Sequence, residues 1–301
     1  MRFPSVAIVL PFAGSALAWG ALGHRTIGAI AQNYLTPATT QWVTSLLGSA
    51  TLLDVSTWAD DYRSTAAGTF SAPFHYIDAL DSPPSTCNVN YSRDCGSTGC
   101  IVSAITNYTS RAQSTSLSTA QKTDALKFLV HFLGDITQPL HDENIEKGGN
   151  GITVLWNGKS TNLHSVWDTA IPEKYVGGNT ATYANNWAKE IIAKLSTGGA
   201  YASSLSSWIS CTNPSTAQSC AVSWATDGNA LICTNVLKTN PAGQELSGAY
   251  YNAAIPEVER QIAKGGVRLA AYLNTIATGK ASILEEEDGG FEPITAPSEE
   301  N

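Results

Sequence analysis

Two segments of the chain carry a histidine four residues ahead of an aspartate: His131-x3-Asp135 and His164-x3-Asp168. On a helix, residues four apart share a face, with Cβ atoms ~5–6 Å apart. Such a pair can converge on one metal ion, or hold it so that the carboxylate reaches a second. His141 follows Asp135 across Thr137-Gln138-Pro139. Pro139 is expected to interrupt the helix and turn His141 toward a different ion. A lone His-x3-Asp match is weak, because most histidines are surface or satisfied core residues. Two such pairs and a third histidine on an otherwise apolar stretch make a stronger signal. Imidazole and carboxylate without thiols nearby suit zinc or another first-row metal. The chain has five histidines, His24, His75, His131, His141 and His164.

The elements that must position these side chains read as helical almost throughout. Thr36-Pro37 is an N-cap followed by Pro at the first helical position, and opens a helix to about Leu47. Ser118 begins another that carries Ala125, Leu126, Leu129, Val130, Phe132 and Leu133 at helical spacing. Further amphipathic runs lie near 22–35, 54–63, 101–113, 181–195, 219–237 and 246–277, the last with a bend expected at Pro256. The one hairpin signal is Val154–Lys159, with Asn157-Gly158 as its tight turn. The pattern predicts an all-α fold: one mainly helical domain over 19–280 with a short β-hairpin.

The 301 residues are 43% hydrophobic and only 14% charged, against roughly 25% charged for an ordinary domain, so a sizeable core is expected and disorder is excluded as the main state. Residues 1–18 have the form of a secretory signal: Arg2, an apolar run from Val6 to Leu17, and Ala16-Leu17-Ala18 as the cleavage site. Cleavage there makes Trp19 the mature N-terminus. The run is too short for a membrane span and no other long apolar stretch follows, so a secreted protein with no membrane association is expected. Six cysteines in an exported chain imply disulfides, with 15 possible connectivities. Spacing favours Cys95–Cys100 and Cys211–Cys220, which leaves Cys87–Cys233. Asn90 and Asn107 head N-glycosylation sequons. The segment 281–301 holds seven acids and little to bury, and reads as a disordered or trimmed tail. The whole chain has net charge −8, which argues at first sight against a nucleic-acid binder. Without Arg2 and the tail acids, however, residues 19–280 carry only −2.

Several blocks together resemble a known family. They are Trp19-Gly-Ala-Leu-Gly-His24, Trp58-Ala-Asp60-Asp-Tyr-Arg63, Phe74-His75-Tyr-Ile-Asp78, Phe132-Leu-Gly-Asp135-Ile-Thr-Gln-Pro-Leu-His141-Asp-Glu, Gly148-Gly-Asn150 and Asn162-Leu-His164-Ser-Val-Trp167-Asp168. The chain resembles, over about 19–278, the secreted zinc-dependent, single-strand-specific nucleases of the S-one/P-one type. These are related in fold to bacterial zinc phospholipase C. The resemblance implies three zinc ions. Asp60, His75, His131 and Asp135 would hold the first. His141, His164 and Asp168 would hold the second. Trp19, through its freed α-amine and its carbonyl oxygen, and His24 would hold the third, with Asp135 bridging to the first.

The activity the resemblance implies is endonucleolytic hydrolysis of single-stranded DNA and RNA by a monomer. A bridging hydroxide attacks phosphorus in line and the P–O3′ bond breaks. Products carry 5′-phosphate, and 3′-nucleotides are also substrates. Arg63, one turn past Asp60, would grip phosphate; the alternative is a surface pair with Asp61. Tyr76 would stack on a base, Asp78 would accept hydrogen bonds from its edge, and Asn150 would contact substrate or only shape a turn. Lys147 and Lys159 stand where some members carry an apolar and an aromatic residue. A phospholipase C on the same frame usually ends in His-x3-Glu and has a longer gap after its Trp; this chain has His164-x3-Asp168 and Trp19-x4-His24.

Overall fold

Ser118 starts the helix that organises the molecule. Its hydroxyl accepts from the Gln121 amide and the Gln121 side chain accepts from the Ser118 amide, a reciprocal cap that stabilises the start of the helix by about 1 kcal/mol. In this computed structural model, which describes residues 19–280, the helix runs Thr119–Asp135. The expected signal 1–18 and acidic tail 281–301 lie outside the described residues. From Phe128 to Asp135 every residue of the helix is buried. A helix buried all round must lie inside the protein rather than on its face. A second helix of this kind, Ala249–Thr278, is buried almost continuously from Val258 to Asn274 and continues through Pro256.

The remaining helices pack around these two. Ala21–Asn33 lies against 249–278 and against Ala181–Leu195. Pro37–Leu47 begins where expected, with the Thr36 hydroxyl accepting from the Thr39 amide. Ile101–Ala112 packs on 119–135, and Ala217–Leu231 packs on 101–112. The expected helix over 54–63 is two pieces, Leu52–Val55 and Trp58–Arg63. It breaks at Ser56, whose hydroxyl bonds back to the Leu53 carbonyl and competes with helix propagation. The hairpin forms as an antiparallel pair, Thr153–Trp156 with Lys159–Asn162. Asn157 and Gly158 take φ of 50° and 74°, the left-handed pair that a two-residue turn matching strand twist needs.

Three disulfides tie the outer segments: Cys87–Cys233, Cys95–Cys100 and Cys211–Cys220. The two sequon asparagines, Asn90 and Asn107, are exposed. Asn90 also N-caps the short helix Tyr91–Asp94, through Oδ1 accepting from the Arg93 amide. Among the described residues no helix is long and apolar enough to cross a membrane.

Candidate metal centre and cleft

The centre sits where helix 119–135 ends. His131 and Asp135 occupy its last two turns, and a helix C-terminus favours cations through its unpaired carbonyls. The chain then turns at Gln138 into the short 3-10 helix Pro139–Asp142, which redirects His141 as the proline predicts. His75 closes another 3-10 helix, Thr69–His75, and Asp60 lies in 58–63. The second pair is not on a regular α-helix. His164 lies in the single turn Leu163–Ser165, and Asp168 lies in a π-helical segment, Val166–Ala170. Local π geometry recurs at functional sites, and here it still leaves His164 Nε2 3.1 Å from Asp168 Oδ2.

All five histidines are buried, with Asp60, Asp135 and Asp168. Four donor atoms from three elements meet at one point. His75 Nδ1 is 2.9 Å from Asp135 Oδ2, and His131 Nε2 is 3.1 Å from His75 Nδ1 and 3.2 Å from Asp135 Oδ2. Asp60 Oδ1 is 3.6 Å from His131 and 3.7 Å from His75. Tetrahedral ligands ~2.0–2.2 Å from zinc stand roughly 3.3 Å from one another, so these separations match the edges of such a site. The other Asp135 oxygen, Oδ1, is 3.0 Å from His24 Nε2, so one carboxylate faces two groups. His141, His164 and Asp168 form a further cluster, with ligand atoms close enough to share one ion.

The ring orientations are set from behind. His131 Nδ1 lies 2.7 Å from the Ser56 carbonyl, His141 Nδ1 2.7 Å from the His75 carbonyl, and His164 Nδ1 2.6 Å from the Gly148 carbonyl. Donation to those carbonyls assigns the proton to Nδ1 and leaves each Nε2 as a bare lone pair aimed inward, the arrangement typical of metal-ligating imidazoles. Inside the protein, Nε2 of His141 has no hydrogen-bond partner, and Nε2 of His24 and His164 face only carboxylate oxygens, 3.0 Å from Asp135 Oδ1 and 3.1 Å from Asp168 Oδ2. Lone-pair donors buried this close to one another, with few N–H groups among them, suit a shared cation. Two glycines make room. A Cβ on Gly134 would stand 2.9 Å from His24 Nδ1, and one on Gly148, which has φ +62°, would stand 2.6 Å from the Leu140 carbonyl.

The charges are mutually adjusted. Burial works to raise Asp135, but His131, His24 and His75 reverse it and hold the carboxyl well below the usual range. Burial opposes charge on His131, yet Asp135 and Asp60 raise it to about 9, so in the absence of a cation the ring holds a second proton that a bound metal would displace. Burial pushes His75 down to about 4 and His141 down to about 3. It lifts Asp168 to about 6.

Trp19 is fully buried; its indole Nε1 donates to Thr137 Oγ1 at 3.1 Å, and the Gly20 amide donates to the Asp168 carbonyl at 2.8 Å. Trp19 and Gly20 are thereby fixed beside the second cluster. A cleft of about 320 Å³ opens over the centre, lined by Arg63, Tyr76, Asp78, Asn150, His75, His141 and His164. Arg63 pairs with Asp60 at 3.0 Å rather than with Asp61. Tyr76 is 40% exposed, which leaves ring surface free for stacking. Burial and then Asp94 raise the Asp78 carboxyl. Asn150 lines the cleft, but its Nδ2 donates to the Lys147 carbonyl, so it also shapes the turn. Lys147 lies on the cleft wall; Lys159 is not among the lining residues.

Sequence reasoning passed over Glu143 and Asn144, which complete the cleft wall, and Gln138, whose Nε2 donates to Asp168 Oδ1. Gln138 stood inside the quoted Thr137-Gln-Pro-Leu-His141 block, where its rank beside Pro139 was the available signal.

A family profile described as S1/P1 Nuclease matches residues 19–278. The chain belongs to the S1/P1 nuclease family. It is 47% identical over 264 residues to Nuclease P1 of Penicillium citrinum, covering 86% of this chain and 97% of that protein. The same figures hold for Nuclease PA3 of a Penicillium species. Identity to Nuclease S1 of Aspergillus oryzae is 44% over 281 residues, 91% of this chain and 97% of that protein. This S1/P1 family member is therefore a nuclease with buried His/Asp clusters able to hold metal.

Proposed function

We propose that the chain is a secreted, monomeric, zinc-dependent endonuclease whose nuclease domain is 19–280. It cleaves single-stranded DNA and RNA to 5′-phosphorylated products and acts on 3′-nucleotides. One observation carries this reading: buried, converging imidazole and carboxylate atoms lie beneath a cleft that also presents a guanidinium and an exposed aromatic ring. Asp60, His75, His131 and Asp135 would hold one zinc, His141, His164 and Asp168 another, and His24 a third with the Trp19 α-amine freed by signal cleavage. All donors are nitrogen or oxygen and the clusters abut the cleft, as a catalytic rather than a structural zinc requires. Zinc bound there supplies Lewis acidity, which lowers the pKa of water and offsets phosphate charge.

The protein's own groups do the rest. Asp60 holds the Arg63 guanidinium at the cleft, where its fork can grip non-bridging phosphate oxygens and the charge they gain in the transition state. Tyr76 stacks on a base, which contributes ~1–3 kcal/mol whatever the sequence. Asp78 accepts from N–H groups on the base edge. A base inside a duplex offers neither face nor edge to this cleft, which accounts for preference for single strands. The deciding experiment compares cleavage of single-stranded and double-stranded DNA and of RNA by the purified mature protein, with phosphatidylcholine as control. Preferential cleavage of single strands to 5′-phosphate ends is expected. Lipid hydrolysis without nucleic-acid cleavage would overturn the reading.

A further inference from the structure

Five large apolar side chains are prominently exposed among the described residues, and three of them lie on one short stretch: Phe70 at 54%, Tyr76 at 40% and Leu80 at 53%. From His75 to Leu80 burial alternates. His75, Ile77 and Ala79 point inward, while Tyr76, Asp78 and Leu80 face out. Preceding this stretch, Phe70 lies in the 3-10 helix 69–75, whose last residue, His75, hands the chain to the extended Tyr76. At ~2 Å rise per residue Phe70 lies roughly 12 Å from Tyr76. Leu80 is at most about 13 Å away on the other side, the reach of four extended residues. The two exposed side chains thus stand six residues before and four residues after Tyr76, which lines the cleft.

This stretch is held in place. The Ile77 amide donates to the His141 carbonyl at 2.8 Å, and the Tyr76 carbonyl accepts from the Ile101 amide at 2.9 Å. The Leu80 amide donates to Asp94 Oδ1 at 3.1 Å, and the Ala79 carbonyl accepts from the Asn144 amide at 3.3 Å. Phe70 meets Tyr62 and Phe74 edge to face, at 6.3 and 6.0 Å between centroids, and Tyr62 is itself stacked on Trp58 at 4.6 Å. Holding apolar groups rigidly in water gains nothing for folding, whereas a preordered platform lowers the entropy cost of binding. Arg63 and Lys147 line the same cleft as Tyr76, placing positive charge where a phosphate backbone would lie.

We infer that Phe70 and Leu80 are base platforms on either side of Tyr76, so that the enzyme binds a run of unstacked nucleotides rather than only those at the broken bond. This rests on the single-strand nuclease reading above. The occupant is a single-stranded nucleic acid, because the exposed side chains belong to the stretch that supplies Tyr76 and Asp78 to the cleft, and that cleft is also lined by Arg63 and Lys147.

The test measures kcat/KM on a dinucleotide and on oligo-dT for the wild type and for Phe70→Ala, Leu80→Ala, Phe70→Tyr and Leu80→Phe, with thermal unfolding and light scattering alongside. The wild type should favour oligo-dT. Each Ala variant should lower the oligo-dT to dinucleotide ratio roughly tenfold, through KM, and each aromatic variant should keep it. An unchanged ratio in both Ala variants overturns the inference. So does an equal loss on both substrates accompanied by a fall in Tm, or a change of oligomeric state in place of a change in ratio. A wild type that cuts neither substrate refutes the underlying reading. A wild type that cuts both equally well refutes only the platforms.

Discussion

Gly134→Ala separates the placing of a metal ligand from its chemistry. Gly134 sits one residue before Asp135 in a buried helix, and an added Cβ would stand 2.9 Å from His24 Nδ1 and 3.1 Å from His24 Cε1. Ordinary contacts begin near 3.4 Å, so the imidazole must retreat by about 0.5 Å. It cannot do so freely, because it stacks on His131 with centroids 3.9 Å apart and planes 13° apart. Two stability effects oppose each other: Ala gains about 1 kcal/mol of helix propensity over Gly, and overpacking costs about 1–3 kcal/mol. Net destabilisation should therefore stay within about 2 kcal/mol. Activity should respond more strongly. A 1 Å misplacement costs ~100-fold, so half that displacement predicts roughly tenfold loss of kcat/KM. The assay pairs cleavage of oligo-dT with thermal unfolding and metal analysis. A folded variant with wild-type kcat/KM and metal content would refute the claim that His24 is held in a set position.

Two further outcomes follow from the same structure. One added residue ahead of Trp19 should remove the α-amine ligand, cutting activity by about tenfold or more with little change in Tm; full activity and full zinc content would contradict this. Asp227→Asn should cost about 2 kcal/mol in denaturant unfolding. Asp227 accepts from Lys264 Nζ at 2.8 and 2.9 Å and from Arg268 Nη2 at 2.8 Å, and both cations are almost fully covered. The cost falls below the ~3–5 kcal/mol of a fully buried pair because about a third of the carboxylate faces water. Burial works to raise Asp227, but Arg268 and Lys264 outweigh it and hold the carboxyl below its ordinary 3.8. The unfolded chain then binds the proton more readily, so the gap between wild type and variant is complete above about pH 4 and closes on acidification below it. A gap independent of pH across that range would refute the assignment.

Much of the site was legible because its signals are local. Thr36-Pro37 and Ser118-x2-Gln121 mark helix starts by capping chemistry, Asn157-Gly158 marks a turn by its tolerance of positive φ, and Pro139 marks the end of a helix. The spacing of His131 and Asp135 is a helical period, and the helix is there. What stayed hidden depends on long-range packing. Nothing in Leu163–Ala170 announces a change to π geometry, since that choice is made by how the segment packs. Arg63 had two acidic neighbours in sequence, and only the fold selects Asp60. Glu143 and Asn144 reach the cleft because residues 75–80 pair with the 141–144 stretch, a contact sixty or more residues apart along the chain.

The proposed role of these His/Asp clusters is to hold catalytic zinc. Its most direct measurement is the metal content of the purified mature protein, taken together with its activity on single-stranded DNA before and after chelation. Three zinc ions per chain are expected, with activity lost on chelation and restored by zinc. A protein that contains no zinc, or that keeps cutting after its metal is removed, would contradict the account.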